Sequence, residues 1–156
     1  MSAPRWFAAL ALLSLAAVAA ALLSQHVFDM QPCPWCVLQR LVFVAIAAVC
    51  VIGLAWRGTA GRVTASLGVL ALAASGVASA LWQHFVAAQS DSCKLTLADR
   101  IVSGLKLDSL LPDVFAVRAS CADAAVDLLG VPYEFWSLAL YLLLGAAALV
   151  LLVRRD

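Results

Sequence analysis

The residues with the most chemistry to offer are two cysteines, Cys33 and Cys36, in the run Pro32-Cys33-Pro34-Trp35-Cys36-Val37-Leu38-Gln39-Arg40. They stand at the head of a long apolar stretch, beside two prolines, where a helix is expected to begin. A helix N-terminus favours a thiolate, and the thiolate is the attacking species in thiol–disulfide exchange. Arg40 follows Cys36 at an i,i+4 spacing, which sets both on one helix face. The pattern suits a redox dithiol. Two other readings compete with it. A structural disulfide closing so short a loop would constrain the chain weakly. A zinc site would want a second close pair of ligands. Covalent haem attachment is excluded, because Val37 rather than His follows Cys36.

The elements that must hold this pair are apolar helices. The 156 residues are 65% hydrophobic and 12% charged, about half the charge of an ordinary soluble domain. A membrane-crossing helix needs about 20 apolar residues, and four windows qualify, residues 6–23, 37–56, 63–86 and 133–153. The expected fold is an all-α membrane protein, an antiparallel four-helix transmembrane bundle forming one integral-membrane domain over residues 1–156. Two loops, residues 24–36 and 87–132, lie on one side. A net charge of +1 offers no case for nucleic acid as a partner. The first span shares an early Arg5 and an Ala-rich end with secretory signal peptides. Its apolar run exceeds the roughly 7–15 residues usual for such a segment, so a retained helix is expected.

Positive charge near short loops and helix ends marks the cytoplasmic side. Arg5, Arg57, Arg62, Arg154 and Arg155 assign both termini there. Lys94, Arg100, Lys106 and Arg118 fall on the other side, outnumbered by acids that include Asp29, Asp91, Asp99, Asp108 and Glu134. Cys33, Cys36, Cys93 and Cys121 then all face outward, where disulfides persist. Four such cysteines allow three pairings, all left open at this point. Cys50, inside the second apolar run, reads as a small packing residue.

Helix two is expected to start near Pro34, since proline is tolerated in a first turn. Residues 25–32 are polar enough to lie at the interface, and the short turn over residues 57–62 makes helices two and three antiparallel neighbours. Gly68, Ser75, Gly76 and Ser79 suit close helix packing in lipid. Trp82, Gln83 and His84 form a polar cluster at the outer end of span three, either a functional group or an interfacial belt. In the second loop, Leu97, Ile101 and Leu105 alternate with charged residues as in a short amphipathic surface helix, interrupted at Gly104 and Pro112.

An arginine one turn inside an apolar span costs a few kcal/mol unless it is paired or reaches the headgroups. Arg40 therefore snorkels to the outer headgroups, or stabilises a Cys36 thiolate and polarises a bound acceptor, and near the interface both can hold. A dithiol oxidant also needs somewhere to send two electrons. The chain has no dinucleotide fingerprint, P-loop or haem motif, and iron–sulfur ligation would consume the exchanging cysteines. By elimination the acceptor is a quinone dissolved in the membrane, and no metal is expected.

Taken together, these residues resemble the bacterial disulfide bond formation protein B family, the quinone-linked thiol oxidases. The resemblance covers nearly the whole chain. It rests on four spans, Cys33 and Cys36 at the head of span two, Arg40, the Cys93/Cys121 pair, and Gly130 with Trp136-Ser137-Leu138 near span four. It implies that a periplasmic thioredoxin-fold dithiol oxidase attacks Cys93 to give a mixed disulfide. It further implies that Cys93 and Cys121 accept the electrons, that Cys33 exchanges with Cys121, and that Cys36 beside Arg40 passes them to ubiquinone or menaquinone. The implied location is the bacterial inner membrane. In many members an Arg-His pair precedes the Gln of span three. Here Ala80, Leu81 and Trp82 precede Gln83 and His84 follows it, which weighs against His84 as a quinone contact. Pro132 also sits closer to Gly130 than is usual.

Three rivals remain at this level. A quinone reductase similar to the vitamin K epoxide reductase family would carry its Cys-x-x-Cys late in the bundle, whereas here it opens span two. A non-catalytic scaffold stapled by disulfides would have no need of Arg40. A metal-binding sensor would hold zinc.

Overall fold

The computed structural model describes residues 2–56, 58–89 and 96–154. Arg57, Asp91, Cys93, Lys94 and Arg155, used in the reading above, lie outside the described residues. Four long helices form the body: α1 (Ala3–Val27), α2 (Pro34–Ala55), α3 (Thr59–Phe85) and α7 (Tyr133–Val153). Each is long and apolar enough to cross a membrane, and the bundle is the four-helix membrane architecture expected from hydropathy. α2 packs between α1 and α3, and α3 packs along α7.

Between α3 and α7 the chain makes a 3-10 turn and three short helices, α4 (Leu97–Gly104), α5 (Leu107–Leu110) and α6 (Pro112–Phe115). A two-stranded hairpin follows, β1 (Asp127–Leu128) with β2 (Val131–Pro132). α4 starts on a capping box. Asp99 N–H donates to Thr96 Oγ1 and Thr96 N–H donates to Asp99 Oδ2, which satisfies two donors a helix start would otherwise leave bare. Leu129 and Gly130 turn the hairpin with φ of 57° and 79°. Two positive φ values are what a two-residue turn needs to match strand twist, and Gly130 meets that need without a Cβ penalty.

The bundle differs from the expected bounds at one loop. α1 continues through Gln25 and His26, and α2 begins at Pro34, so the first connection is shorter than residues 24–36. Gln25, in the added turn of α1, is buried and hydrogen-bonded inside the bundle. Arg62 is also more than a flanking charge. It is buried, and its Nη1 donates to the carbonyls of Leu151 and Arg154 at the end of α7, where a cation complements the helix dipole.

Small residues let the helices meet. Gly76 of α3 faces the ring of Tyr141 on α7 so closely that a Cβ there would overlap it. On its other side Tyr141 stacks on Phe43 of α2, with centroids 4.3 Å apart, and its hydroxyl donates to Gln39 O at 2.8 Å. Cys50 packs in this same apolar cluster with Phe43, Ile46 and Val69.

A side chain at Gly76 must therefore displace Tyr141. Gly76→Val is expected to cost about 1–3 kcal/mol of stability by overpacking. Gly104→Ala, where a Cβ meets open space, should leave stability nearly unchanged. Thermal unfolding of both variants in detergent, followed by circular dichroism, checks the contrast.

Candidate thiol relay and membrane cavity

Cys33 is the N-cap of α2 and Pro34 its first residue, the placement proline's missing N–H allows. Cys33 Sγ accepts from Cys36 N–H at 3.3 Å, and the two sulfurs lie 2.7 Å apart. The second loop brings a third sulfur to them. The N–H groups of Arg118 and Ala119 both donate to Pro32 O, at 3.0 and 3.3 Å. That clasp lays the following residues across the head of α2, and Cys121 packs with Cys33 and Cys36 in one cluster. Trp35, Ala98 and Ala124 close over the cluster, while Val37, Val102 and Phe115 seal its flank.

The three sulfurs are not equivalent. The hydrogen bonds of Cys33 with Cys121 and Cys36, followed by burial, push the Cys33 thiol well above the ordinary value. The same bond from Cys33 pulls the Cys121 thiol below it, against the opposing effect of burial. A sulfur that ionises readily is both a better leaving group and more often a thiolate. Cys121 therefore has the character of a group easily expelled, and Cys33 that of one that keeps its proton.

Arg40 does not snorkel. It is 5% exposed, and its guanidinium donates to Gln25 Oε1 at 2.6 Å, Val114 O at 2.9 Å and Ala21 O at 3.3 Å. All three acceptors are neutral. A buried cation solvated only by dipoles keeps its full charge, one turn from Cys36. Gln83 adds a direct contact: its Nε2 donates to Cys36 Sγ at 3.3 Å, while its Oε1 accepts from Gln39 Nε2 at 2.7 Å. Donor amides and a nearby cation complement an anionic sulfur.

Cys36 and Arg40 line two cavities, one mixed in polarity and one largely apolar. One, of about 420 Å³, is walled by Asp29, Gln31, Arg118 and Asp123. The other, of about 350 Å³, lies among α1, α2, α3 and α7 and is walled by apolar residues such as Ala21, Phe43, Trp136 and Leu140, with Gln39, Gln83 and Glu134. Ser24 Oγ and Tyr133 Oη, 3.0 Å apart, sit on the wall common to both.

Among the sequence candidates, the structure gathers Cys33, Cys36, Cys121 and Arg40 into one site; Cys93 lies outside the described residues. His84 is placed beside the site instead of on its wall, with Nδ1 2.6 Å from Glu134 Oε1. Glu134, counted above among the acids of the outer side, is 4% exposed. Gln83 belongs to the polar cluster singled out at the end of span three, whereas Gln39, Gln25 and Glu134 were not among the sequence candidates.

The family model described as disulfide bond formation protein DsbB matches residues 3–151. The chain is 34% identical over 153 residues to disulfide bond formation protein B 1 of Pseudomonas savastanoi pv. phaseolicola, covering 97% of this chain and 90% of the relative. It is 35% identical over 148 residues to disulfide bond formation protein B of Burkholderia pseudomallei, covering 94% and 87%. The protein of the same description from Herminiimonas arsenicoxydans is 34% identical over 139 residues, covering 88% and 87%.

The hydrogen bond between Cys33 and Cys121 has a titration consequence. A lowered value means that thiolate appears at lower pH, so alkylation of Cys121 in the reduced protein should reach its half-maximal rate below the pH of an ordinary thiol. Alkylation of Cys33 should reach it above. Cys33→Ala removes the bond and should move the Cys121 midpoint upward. Iodoacetamide labelling across a pH series, read by peptide mass spectrometry, measures both.

Proposed function

This chain belongs to the DsbB family of disulfide bond formation proteins, and from that membership we propose that it carries electrons from a periplasmic thioredoxin-fold dithiol oxidase to a membrane quinone. It is a multi-pass membrane protein of disulfide bond formation, an oxidoreductase that generates disulfides. The proposed setting is the bacterial inner membrane, with both termini cytoplasmic and the sulfur cluster on the periplasmic side. The arrangement that carries the reading is Cys33 packed with both Cys121 and Cys36, with Cys36 on the wall of an apolar cavity.

The relay can be followed sulfur by sulfur. A thiolate of the reduced partner attacks Cys93 of a Cys93–Cys121 disulfide, forming a mixed disulfide and expelling Cys121. The Cys121 thiolate then attacks Cys33 of a Cys33–Cys36 disulfide, forming Cys33–Cys121 and releasing Cys36 as thiolate. The partner's second thiol resolves the mixed disulfide and leaves oxidised. The freed Cys93 attacks Cys121, restoring their bond and leaving Cys33 and Cys36 as the reduced pair.

The residues present fit a quinone. The cavity of about 350 Å³ falls in the size range of small-ligand sites. Its wall is largely apolar, it opens among four lipid-crossing helices, and the polar groups of Cys36, Arg40, Gln83 and Glu134 belong to the helix ends nearest the sulfur cluster. A bound quinone would supply a lipid-soluble acceptor of two electrons and two protons. Arg40, fixed by Gln25, Ala21 and Val114, holds positive charge beside Cys36. Gln83 orients the sulfur. The apolar wall keeps water from the reacting atoms, which strengthens both effects.

Oxidation of a reduced thioredoxin-fold partner by the purified protein with a short-chain quinone tests the whole reading, and no oxidation would overturn it. Within that assay, Arg40→Ala should slow quinone-dependent turnover by about 10²-fold, the scale of losing one preorganised electrostatic group. The mixed disulfide at Cys93, trapped in a Cys121→Ala background, should still form. An impermeant thiol reagent applied to intact cells tests the orientation.

A further inference from the structure

The apolar cavity carries one acid on its wall, and that acid is half unsatisfied. Glu134, in the first turn of α7, is 4% exposed. Its Oε1 lies 2.6 Å from His84 Nδ1, while its Oε2 is buried with no hydrogen-bond partner among the described residues. Leaving a buried carboxylate oxygen bare is costly, and few sites keep one without use. His84 reaches the other way. It is 30% exposed and is flanked by Phe85 edge-on at 4.9 Å and by Phe135 at 4.6 Å. The pair thus links the outer surface of the bundle to the cavity that Cys36 lines. The other titratable groups on that wall are Cys36 and Arg40 of α2 and Tyr133 of α7; α1 and α3 add none there.

We propose that Glu134 delivers a proton to the electron acceptor in this cavity and that His84 reloads it from the water side. The inference rests on the quinone reading above. The balance requires such a donor. Oxidation of the Cys33 thiol and the Cys36 thiolate to their disulfide releases two electrons and one proton, that of Cys33. Conversion of a quinone to its quinol takes two electrons and two protons. The missing proton is the one Cys36 gave up on becoming a thiolate. His84 passes a proton from Nδ1 to Glu134 Oε1, a half-turn of the carboxyl brings it to the bare side, and the acid releases it into the cavity. His84 then recovers a proton from water. This assigns His84 a role one step behind the acceptor, consistent with its absence from the cavity wall.

The test uses the full-length protein in detergent, with the Cys33/Cys36 pair reduced beforehand and a short-chain ubiquinone as probe. Probe binding is read by quenching of tryptophan fluorescence, and quinol formation in a single turnover by absorbance, across a pH series. Glu134→Gln keeps a hydrogen-bonding group for His84 but cannot carry a proton. It should bind the probe with unchanged affinity and form quinol about 10²-fold more slowly, the scale of general acid catalysis. Its rate should fall as pH rises and should recover with added formate, a small acid able to enter the cavity. A variant that binds the probe but matches the parent in rate and pH profile would overturn the proposal, as would a loss that formate leaves untouched. If Glu134→Gln fails to fold, His84→Asn carries the same expectation with imidazole as the rescuing agent. A parent protein that neither binds nor reduces the probe would overturn the quinone reading itself, and this proposal with it.

Discussion

A guanidinium buried with no carboxylate partner among the described residues is the constraint around which this molecule is arranged. Arg40 takes its hydrogen bonds from Ala21 and Gln25 on α1 and from Val114 on α6. Three stretches far apart in sequence are thereby held against the head of α2. Removing any one acceptor would leave a buried donor bare, an expensive outcome in a low-dielectric setting. The same demand explains why α1 runs past its apolar stretch to Val27: the helix must carry Gln25 up to the arginine. A cation satisfied by neutral dipoles also retains a field, and the nearest sulfur is one helical turn away.

The second organising contact is the Pro32 carbonyl, which receives the N–H groups of Arg118 and Ala119. Proline at this position has no N–H to offer a competing pairing, but its carbonyl is a full acceptor. Two donors on one oxygen fix the loop's register beside Cys33, and register decides which sulfur arrives. The contrast in acidity between Cys33 and Cys121 follows from that contact. Local helix-end effects alone would have acted on Cys33 and Cys36 and left Cys121 an ordinary thiol.

Hydropathy alone located the four spans, because lipid-crossing helices must be apolar for their whole length. Pro34 marked the start of α2, and the isolated arginine of span two drew attention for its cost. What stayed hidden depends on partners distant in the chain. Nothing local to Gln83 says that its amide meets Cys36, since that contact requires α3 to pack on α2 at one rotation. Gly76 and Tyr141 set that rotation. Glu134 counted by composition only as an acid of the outer side, and the approach of α3 to α7 makes it the buried partner of His84. The partner of Gln25 stayed hidden for the same reason, since Arg40 stands on the next helix.

Cys36 stands in a wall only one side chain thick, with a hollow of mixed polarity before it and an oily one behind. A swing of that single atom spans two immiscible phases. The partition places a single sulfur within reach of both hollows.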